Sequence, residues 1–525
     1  DQIFKLIAIA DYFAAMIAIG LWANLRTKDL TDYMLGGRNL SPMVAALSAG
    51  ASDMSGWLLL GLPGALYVTG LADAWIAIGL TIGAWLNWKF VAPRLRTYTE
   101  VAQNSITIPS FLENRLHDKS RMLRVVSGLL VLTFFTFYVS SGMVSGGVFF
   151  ENSFGSSYRI GMLIVAGVTV LYTFFGGFIG ASYTDMMQGL LMMAALLMVP
   201  ALGIFEVGGP AQMLETVTAI NPNAFSLIAG TTAVGVASSL GWGLGYFGQP
   251  HIIVRFMALR SAADAKAGRR IGIGWMVLSM AGAVFTGLIG LAYFAQHPEL
   301  TLDNPEAVFL AMTQILVHPL VAGFVLAAVF AAIMATGSSQ LIVCSSALVE
   351  DLAKMALKRE ISPRQQIWLG RTGVLVVALV AMSLAWTQND TILALVAFAW
   401  AGFGATFGPA VLLSLFWRRL TAPGAMLGMV AGAVVVFTWQ YTPWSSLYEI
   451  IPGFAVNLLV AIGVSLFTNK PEVDEEFAAA RELAGAGRLG EHEAMVLRRE
   501  QTWCGGCFQP QDVALQRAQH ASRCR

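Results

Sequence analysis

The chain is poor in charge and nearly bare of cysteine. Of its 525 residues only 12% are Asp, Glu, Lys or Arg, against 56% that are hydrophobic, and the mean hydropathy is +0.66. Soluble domains carry about a quarter charged residues, so these numbers exclude a soluble globular protein and indicate a polytopic membrane protein. The four cysteines offer no disulfide framework: Cys344 falls in an apolar run and needs no partner, while Cys504, Cys507 and Cys524 crowd into the tail. The net charge of +1 decides nothing about partners. There is no P-loop, kinase motif, nucleophile elbow or nucleic-acid motif, and no catalytic constellation, so neither an enzyme nor a nucleic-acid partner is expected. The first apolar run, residues 3–23, does not read as a cleaved leader. It is long enough to span a bilayer and ends at polar Asn24 and Arg26 without a small-residue cleavage pattern, so it is expected to stay in the chain.

What the chain has in quantity is long apolar runs. They can be drawn at 3–23, 41–64, 68–92, 125–150, 159–181, 186–205, 226–256, 271–295, 317–349, 366–386, 391–417, 423–440 and 446–467, giving an all-α fold of about thirteen transmembrane helices. The segments between them alternate in charge. Basic ones carry Arg26, Lys28 and Arg38; then Lys89, Arg94, Arg96, Arg115, Lys119, Arg121 and Arg124; then Arg255, Arg260, Lys266, Arg269 and Arg270; then Lys354, Lys358, Arg359 and Arg364; then Arg418 and Arg419. Residues 65–67, 206–225, 296–316, 387–390 and 441–445 hold no Lys or Arg. Because Lys and Arg concentrate in cytoplasmic loops, the N-terminus is expected outside and the C-terminus in the cytoplasm. Two units follow: a transmembrane domain, 1–468, and a polar, helix-forming cytoplasmic tail, 469–525, read as a soluble appendage.

Two of the runs are poor continuous helices. Ser48 to Gly64 (SAGASDMSGWLLLGLPG) contains Asp53, Gly50, Gly56, Gly61 and Pro63, and Ser238 to Pro250 (SSLGWGLGYFGQP) is similarly rich in glycine. Glycines also serve close helix packing, but Asp53 favours a break. Backbone that unwinds at membrane depth survives only where it is buried in protein or lines a cavity. In secondary transporters such breaks come in pairs, and their free carbonyls hold an ion and a polar substrate.

Intramembrane ionisable and polar groups are the candidates for function. Around the first break Ser52, Asp53 and Ser55 accompany unwound carbonyls suited to a hard cation such as sodium. The segment Phe330 to Ser339 adds Thr336, Ser338 and Ser339. Asp185 lies near an expected span end and reads either as an interfacial charge or as a transport residue. Trp57, Tyr138, Trp242 and Tyr246 can wall an organic substrate, with Trp242 and Tyr246 sharing a face if the helix is intact there. His251, after Pro250, reads as structural. In the tail, Cys504, Cys507, His520 and Cys524 have the spacing of a four-ligand zinc site, against the alternative of incidental thiols.

Several stretches carry a wider resemblance: residues 32–67 (DYMLGGRNLSPMVAALSAGASDMSGWLLLGLPGALY), 137–147 (FYVSSGMVSGG), 176–189 (GGFIGASYTDMMQG), 241–258 (GWGLGYFGQPHIIVRFMA) and 338–352 (SSQLIVCSSALVEDL). Up to about residue 468 the chain resembles the sodium/solute symporters, most closely the bacterial sodium/proline symporters. The resemblance implies a LeuT-like fold of two inverted five-helix repeats in the bacterial cytoplasmic membrane, with L-proline and sodium as partners. By motif it implies sodium ligands in the carbonyls of Ala51, Met54 and Ala332 and the hydroxyl of Thr336, with Asp53 in support. It implies substrate contacts from Ser55, Gly56, Trp57, Tyr138, Trp242 and Tyr246, and coupling roles for Arg38 and Asp185. One departure stands out: the family usually has a second hydroxyl before Thr336, and here Ala335 removes it. Ser338, Ser339 or water is then required as a substitute, or sodium binds more weakly.

The leading expectation is sodium-coupled proline import. The alternatives are symport of another amino or organic acid with sodium or protons, or a transporter-like sensor acting through the tail on protein partners the sequence does not identify. Asp53→Ala is expected to reduce sodium-dependent uptake sharply; unchanged sodium dependence at normal expression contradicts the role given to this carboxylate.

Overall fold

The computed structural model describes residues 2–26, 32, 35–353, 362–387, 390–468, 477, 478, 480 and 481. Among them the chain is helical throughout, and the only strand-like pairing is a bridge between Leu40 and Leu259. In chain order the α-helices are α1 (Gln2–Asn24), α2 (Pro42–Asp53), α3 (Leu62–Thr69), α4 (Ala74–Leu86), α5 (Ala92–Val101), α6 (Ile108–Leu116), α7 (Met122–Phe154), α8 (Tyr158–Glu206) and α9 (Pro210–Ile220). There follow α10 (Ala233–Gly241), α11 (Pro250–Met257), α12 (Asp264–Gln296), α13 (Val308–Leu316), α14 (Pro319–Ser346), α15 (Pro363–Leu384), α16 (Ile392–Phe416), α17 (Ala422–Thr438) and α18 (Ile450–Phe467).

Ten of the described helical segments are long and apolar enough to cross a membrane. Three expected spans are not single straight helices: 41–64, 159–181 and 226–256. The first divides into α2, a π-helical turn at Trp57–Gly61, and α3. The last divides into α10, a 3-10 stretch at Trp242–Gly248, and α11. The middle one is the start of α8, whose 49 residues at ~1.5 Å each far exceed one bilayer crossing. It bends at Gly177, where φ is 55° and ψ is −157°, a conformation open to glycine and costly for other residues.

Large apolar side chains point outward along these helices, Val434 at 54%, Phe285 at 52% and Leu379 at 52% exposed among them, as a bilayer rather than water requires. The chain is therefore a multi-pass membrane protein. Inside, small residues set the closest approaches. At Gly79 an added Cβ would stand 2.7 Å from the Leu240 Cα, so α4 and the end of α10 meet backbone to backbone.

Part of the basic-loop reading needs correction. Arg96, Arg115 and Arg255 are buried at 4%, 0% and 1% exposure, so they are structural cations rather than solvated loop charges. Arg96 donates to the carbonyls of Leu259 and Arg260, and Arg115 Nε donates to the Ser414 carbonyl at 3.0 Å. The tail is not wholly detached either. Phe477 packs against Tyr98, with ring centroids 6.3 Å apart, and Ala480 is buried.

Helix starts are chemically marked. Ser41 accepts from the Val44 N–H ahead of Pro42, and Thr107 with Ser110 forms a reciprocal capping box. The start of α16 is held twice: Thr391 accepts from the Ala394 N–H, and the carboxylate of Glu306 accepts from Ile392 N at 3.1 Å and Leu393 N at 3.3 Å. Glu306→Ala is expected to cost about 2 kcal/mol through these two charge-assisted bonds, read as a lower thermal unfolding midpoint of the solubilised protein. Glu306→Gln, which keeps an acceptor, should lose less. An unchanged midpoint in Glu306→Ala contradicts the capping role.

Candidate functional site

The site forms where α2 stops. Met54, with φ −87° and ψ 81°, leaves helical geometry while its N–H still reaches the Gly50 carbonyl at 3.0 Å. Helix resumes only after Ser55, which takes the Trp57 N–H on its hydroxyl at 3.4 Å and the Leu58 N–H on its carbonyl at 3.1 Å. The Asp53 carbonyl is satisfied from two sides, by the Trp57 indole N–H at 3.2 Å and the Tyr138 hydroxyl at 3.4 Å. The Asp53 carboxylate accepts from the Tyr246 hydroxyl in the second break. All four residues are buried. One interrupted turn thus gathers donors from α7 and from the opposite broken segment.

Of the expected cation ligands, Ala51 and Thr336 meet directly, the Thr336 hydroxyl lying 3.5 Å from the Ala51 carbonyl. Ala332 is one turn earlier on the same face of α14. Beside it, the Ile333 Cγ1 lies 3.3 Å from where a Cβ on Gly56 would stand. The suggested substitutes for the absent hydroxyl at Ala335 do not turn this way. Ser338 donates to the Ala335 carbonyl at 3.3 Å, and Ser339 faces Asp185 and Arg255.

An aromatic enclosure continues from the break. Trp57 and Trp242 have ring centroids 6.2 Å apart, Trp242 stacks on Trp400 at 6.4 Å, and Tyr246 meets Trp400 edge-on at 5.1 Å. Tyr448 closes on Trp242 at 5.4 Å. Trp242 and Tyr246 do not share an α-helical face, because the stretch between them is 3-10; Trp400 brings them together by contacting both. Gly56 leaves room at the break, since a Cβ there would stand 2.7 Å from Ser145 Oγ. His251 is fully buried, edge-on to Phe135 and Tyr138 at 5.4 and 5.7 Å.

Asp185 is not an interfacial charge. It is fully buried and accepts from Arg255 Nη2 at 3.1 Å, Ser48 Oγ at 2.7 Å and Ser339 Oγ at 3.4 Å. Arg255 also donates to Ser48 at 3.0 Å, Ser339 at 2.6 Å and the His251 carbonyl. This cluster joins α2, α8, α11 and α14. Arg38 makes a second junction outside the spans. It donates to Asn104 (2.9 Å), Thr99 (3.0 Å) and the carbonyls of Met257 (2.9 Å) and Ser105 (2.6 Å). Burial, with Arg96 nearby, pulls its pKa down to about 10 against the opposing effect of Glu100, so it remains a cation at neutral pH.

Sequence reasoning missed Arg255, Trp400, Tyr448 and Asn87. A lone Trp in the small-residue run around Gly402 and a lone Asn in the span ending near Trp88 were the available signals. Cys504, Cys507, His520 and Cys524 lie outside the described residues; among the described residues no group of three or more His, Cys, Asp or Glu is placed to hold a metal.

Arg255→Met is expected to destabilise by about 3–5 kcal/mol because it strands a buried carboxylate, seen as a lower unfolding midpoint. Adding Asp185→Leu should recover part of that loss. Additive losses in the double variant contradict the pairing.

A model of the sodium:solute symporter family matches residues 33–432. The chain is 56% identical over 457 residues to the high-affinity proline transporter PutP of Bacillus subtilis (strain 168), covering 87% of this chain and 96% of that one. It is 49% identical over 469 residues to the osmoregulated proline transporter OpuE of the same organism, covering 89% and 95%. To the sodium/proline symporter of Escherichia coli (strain K12) it is 48% identical over 480 residues, covering 90% and 96%. Among solved structures, a Na+-coupled sialic acid symporter in a substrate-bound outward-open state superposes with a TM-score of 0.76 at 20% identity, covering 88% and 98%. The nucleobase-cation-symport-1 family transporter Mhp1, closed with a bound hydantoin, gives 0.53 at 14% identity, covering 85% and 98%. These two likenesses bear on fold alone, and that fold is LeuT-like.

Proposed function

The chain belongs to the sodium:solute symporter family, and from that premise we propose that it imports L-proline by sodium symport through alternating access. The reading is supported by relatives at 48–56% identity, over about nine-tenths of this chain, that are named as proline transporters or sodium/proline symporters. The observation that carries it is the shared break. Residues 51–57 serve the cation side through Ala51 and Thr336 and the organic side through Trp57, Tyr138 and Tyr246.

In this reading sodium is held by the carbonyls of Ala51, Met54 and Ala332 and the hydroxyl of Thr336, with Asp53 in support. The missing hydroxyl at Ala335 lowers sodium affinity or leaves one ligand to water. Proline lies among Ser55, Gly56, Trp57, Tyr138, Trp242 and Tyr246, with Trp400 and Tyr448 as outer walls. Its carboxylate faces the N-terminal end of the helix that resumes after the break. Arg38 and Asp185 act in coupling. The ten apolar helices and three interrupted segments make thirteen crossings of a bacterial cytoplasmic membrane, N-terminus outside and C-terminus inside. Residues 1–468 are the transport domain. The tail holds a zinc ion on Cys504, Cys507, His520 and Cys524, supported by their spacing; elemental analysis of the intact protein against Cys504→Ser tests it, and equal zinc in both contradicts it.

The test of function is labelled L-proline uptake into liposomes under inward sodium, potassium or proton gradients. Accumulation with sodium alone is expected. No accumulation under any gradient by folded protein contradicts the proline reading. Trp400→Ala is expected to raise the KM for proline at least about tenfold through lost enclosure of the ring, leaving the sodium half-saturation within about twofold.

A further inference from the structure

Where the end of α4 meets the start of α12, two cations gather on the outer surface of the bundle without an acid. The two helices touch closely there: an added Cβ on Gly268 of α12 would stand 2.6 Å from the Trp88 ring. Trp85, three residues earlier, is exposed instead, on one stripe of α4 with exposed Ile82. Lys89, the next turn of that stripe, lays its ammonium 4.4 Å from the Trp85 ring centroid and 4.9 Å from that of Phe90. From α12, Arg269 brings its guanidinium to 5.8 Å from the same Trp85 centroid. An aromatic face attracts a cation, and here two helices each deliver one to a single ring.

Like charges held this near each other repel, and no carboxylate relieves them. Neither Lys89 nor Arg269 forms an ion pair or a hydrogen bond among the described residues. Asp264, the acid nearest to Arg269 along the chain, is taken by Arg260 at 3.3 Å. Lys266 and Arg270 are exposed beside it and likewise unpaired among the described residues. On one side of this charge the surface is apolar, with Ile82, Trp85, Phe90 and Ile271 exposed. On the other the sequence turns polar from Arg94, which marks the membrane boundary, the depth at which Trp and Lys side chains anchor.

Charge and hydrocarbon together select the occupant. A soluble anion meets the cations but gains nothing from Ile82 and Trp85. A zwitterionic lipid gains from the apolar stripe but brings a cation of its own. An anionic phospholipid satisfies both. We propose that the seam between α4 and α12 binds an anionic phospholipid, its phosphate between Lys89 and Arg269 and its acyl chains along Ile82 and Trp85. The site requires only that the chain spans a bilayer, and it is independent of the solute carried.

The test is native mass spectrometry of the detergent-solubilised full-length chain, titrated with phosphatidylglycerol or with phosphatidylcholine of the same acyl chains. The first phosphatidylglycerol adduct is expected to form at least about tenfold more tightly than the phosphatidylcholine adduct. Lys89→Gln and Arg269→Gln should each weaken it about fivefold, and the two together about thirtyfold. Arg418→Gln with Arg419→Gln removes the same charge from another basic segment and should leave the adduct within about twofold. Equal weakening by that control pair means general attraction to a basic surface and overturns the site. Unchanged binding in the Lys89→Gln, Arg269→Gln double variant overturns it too. Glycerol phosphate, the head group without chains, is expected to give no adduct; one as tight as the lipid's and lost in the same double variant overturns the assignment to lipid. If the double variant does not elute as a monodisperse species, Lys89→Gln alone decides, and unchanged affinity in it overturns the proposal.

Discussion

Polar backbone exposed inside an apolar bundle has to find partners, and that constraint organises the centre of this protein. When α2 ends at Asp53, the groups around Ser55 lose their helical bonds. The indole of Trp57 and the phenol of Tyr138 converge on one carbonyl, and Tyr246 reaches the adjacent carboxylate from the other broken segment. The partners that satisfy the break are aromatic, so the same residues that stabilise it are the ones proposed to wall the substrate ring.

The surrounding structure keeps that arrangement in register. Arg255, Asp185, Ser48 and Ser339 tie α2 and α11, the two halves leading from the breaks, to α8 and α14. Arg38 does the same beyond the spans, binding the entry to α2 to the end of α11 and to the segment after α5. In the proposed alternating-access cycle, a shift of α2 and α11 against α8 and α14 would have to break these polar contacts. A ligand biases such a cycle only through different contacts in its two states. A cation at the Ala51 and Thr336 position spans α2 and α14, so it stabilises the state in which the two are close.

Much of this was legible in the sequence because it follows from local chemistry. Pro63, the glycines and Asp53 mark an interrupted span, and the long apolar runs mark the others. The family resemblance supplied candidate pairings, and Ala51 with Thr336 is in direct contact. What stayed hidden depends on tertiary packing. Arg255 counts as a loop cation by charge and becomes a buried one only because Asp185, 70 residues away, is folded against it. Trp242 and Tyr246 meet the same tryptophan because a 3-10 stretch turns them, which no α-helical spacing shows. Asn87 shows in the sequence only as a lone polar residue in an apolar span; its place is defined by the Tyr246 carbonyl across the bundle.

The central claim is that one broken turn holds the cation and the substrate together, so binding of each must strengthen the other by the same factor. Calorimetric titration of L-proline into the purified protein at low and saturating sodium, paired with sodium titrations at low and saturating proline, measures this directly. The account predicts equal coupling in the two directions, at least about tenfold, or ~1.4 kcal/mol. Proline affinity independent of sodium would contradict it.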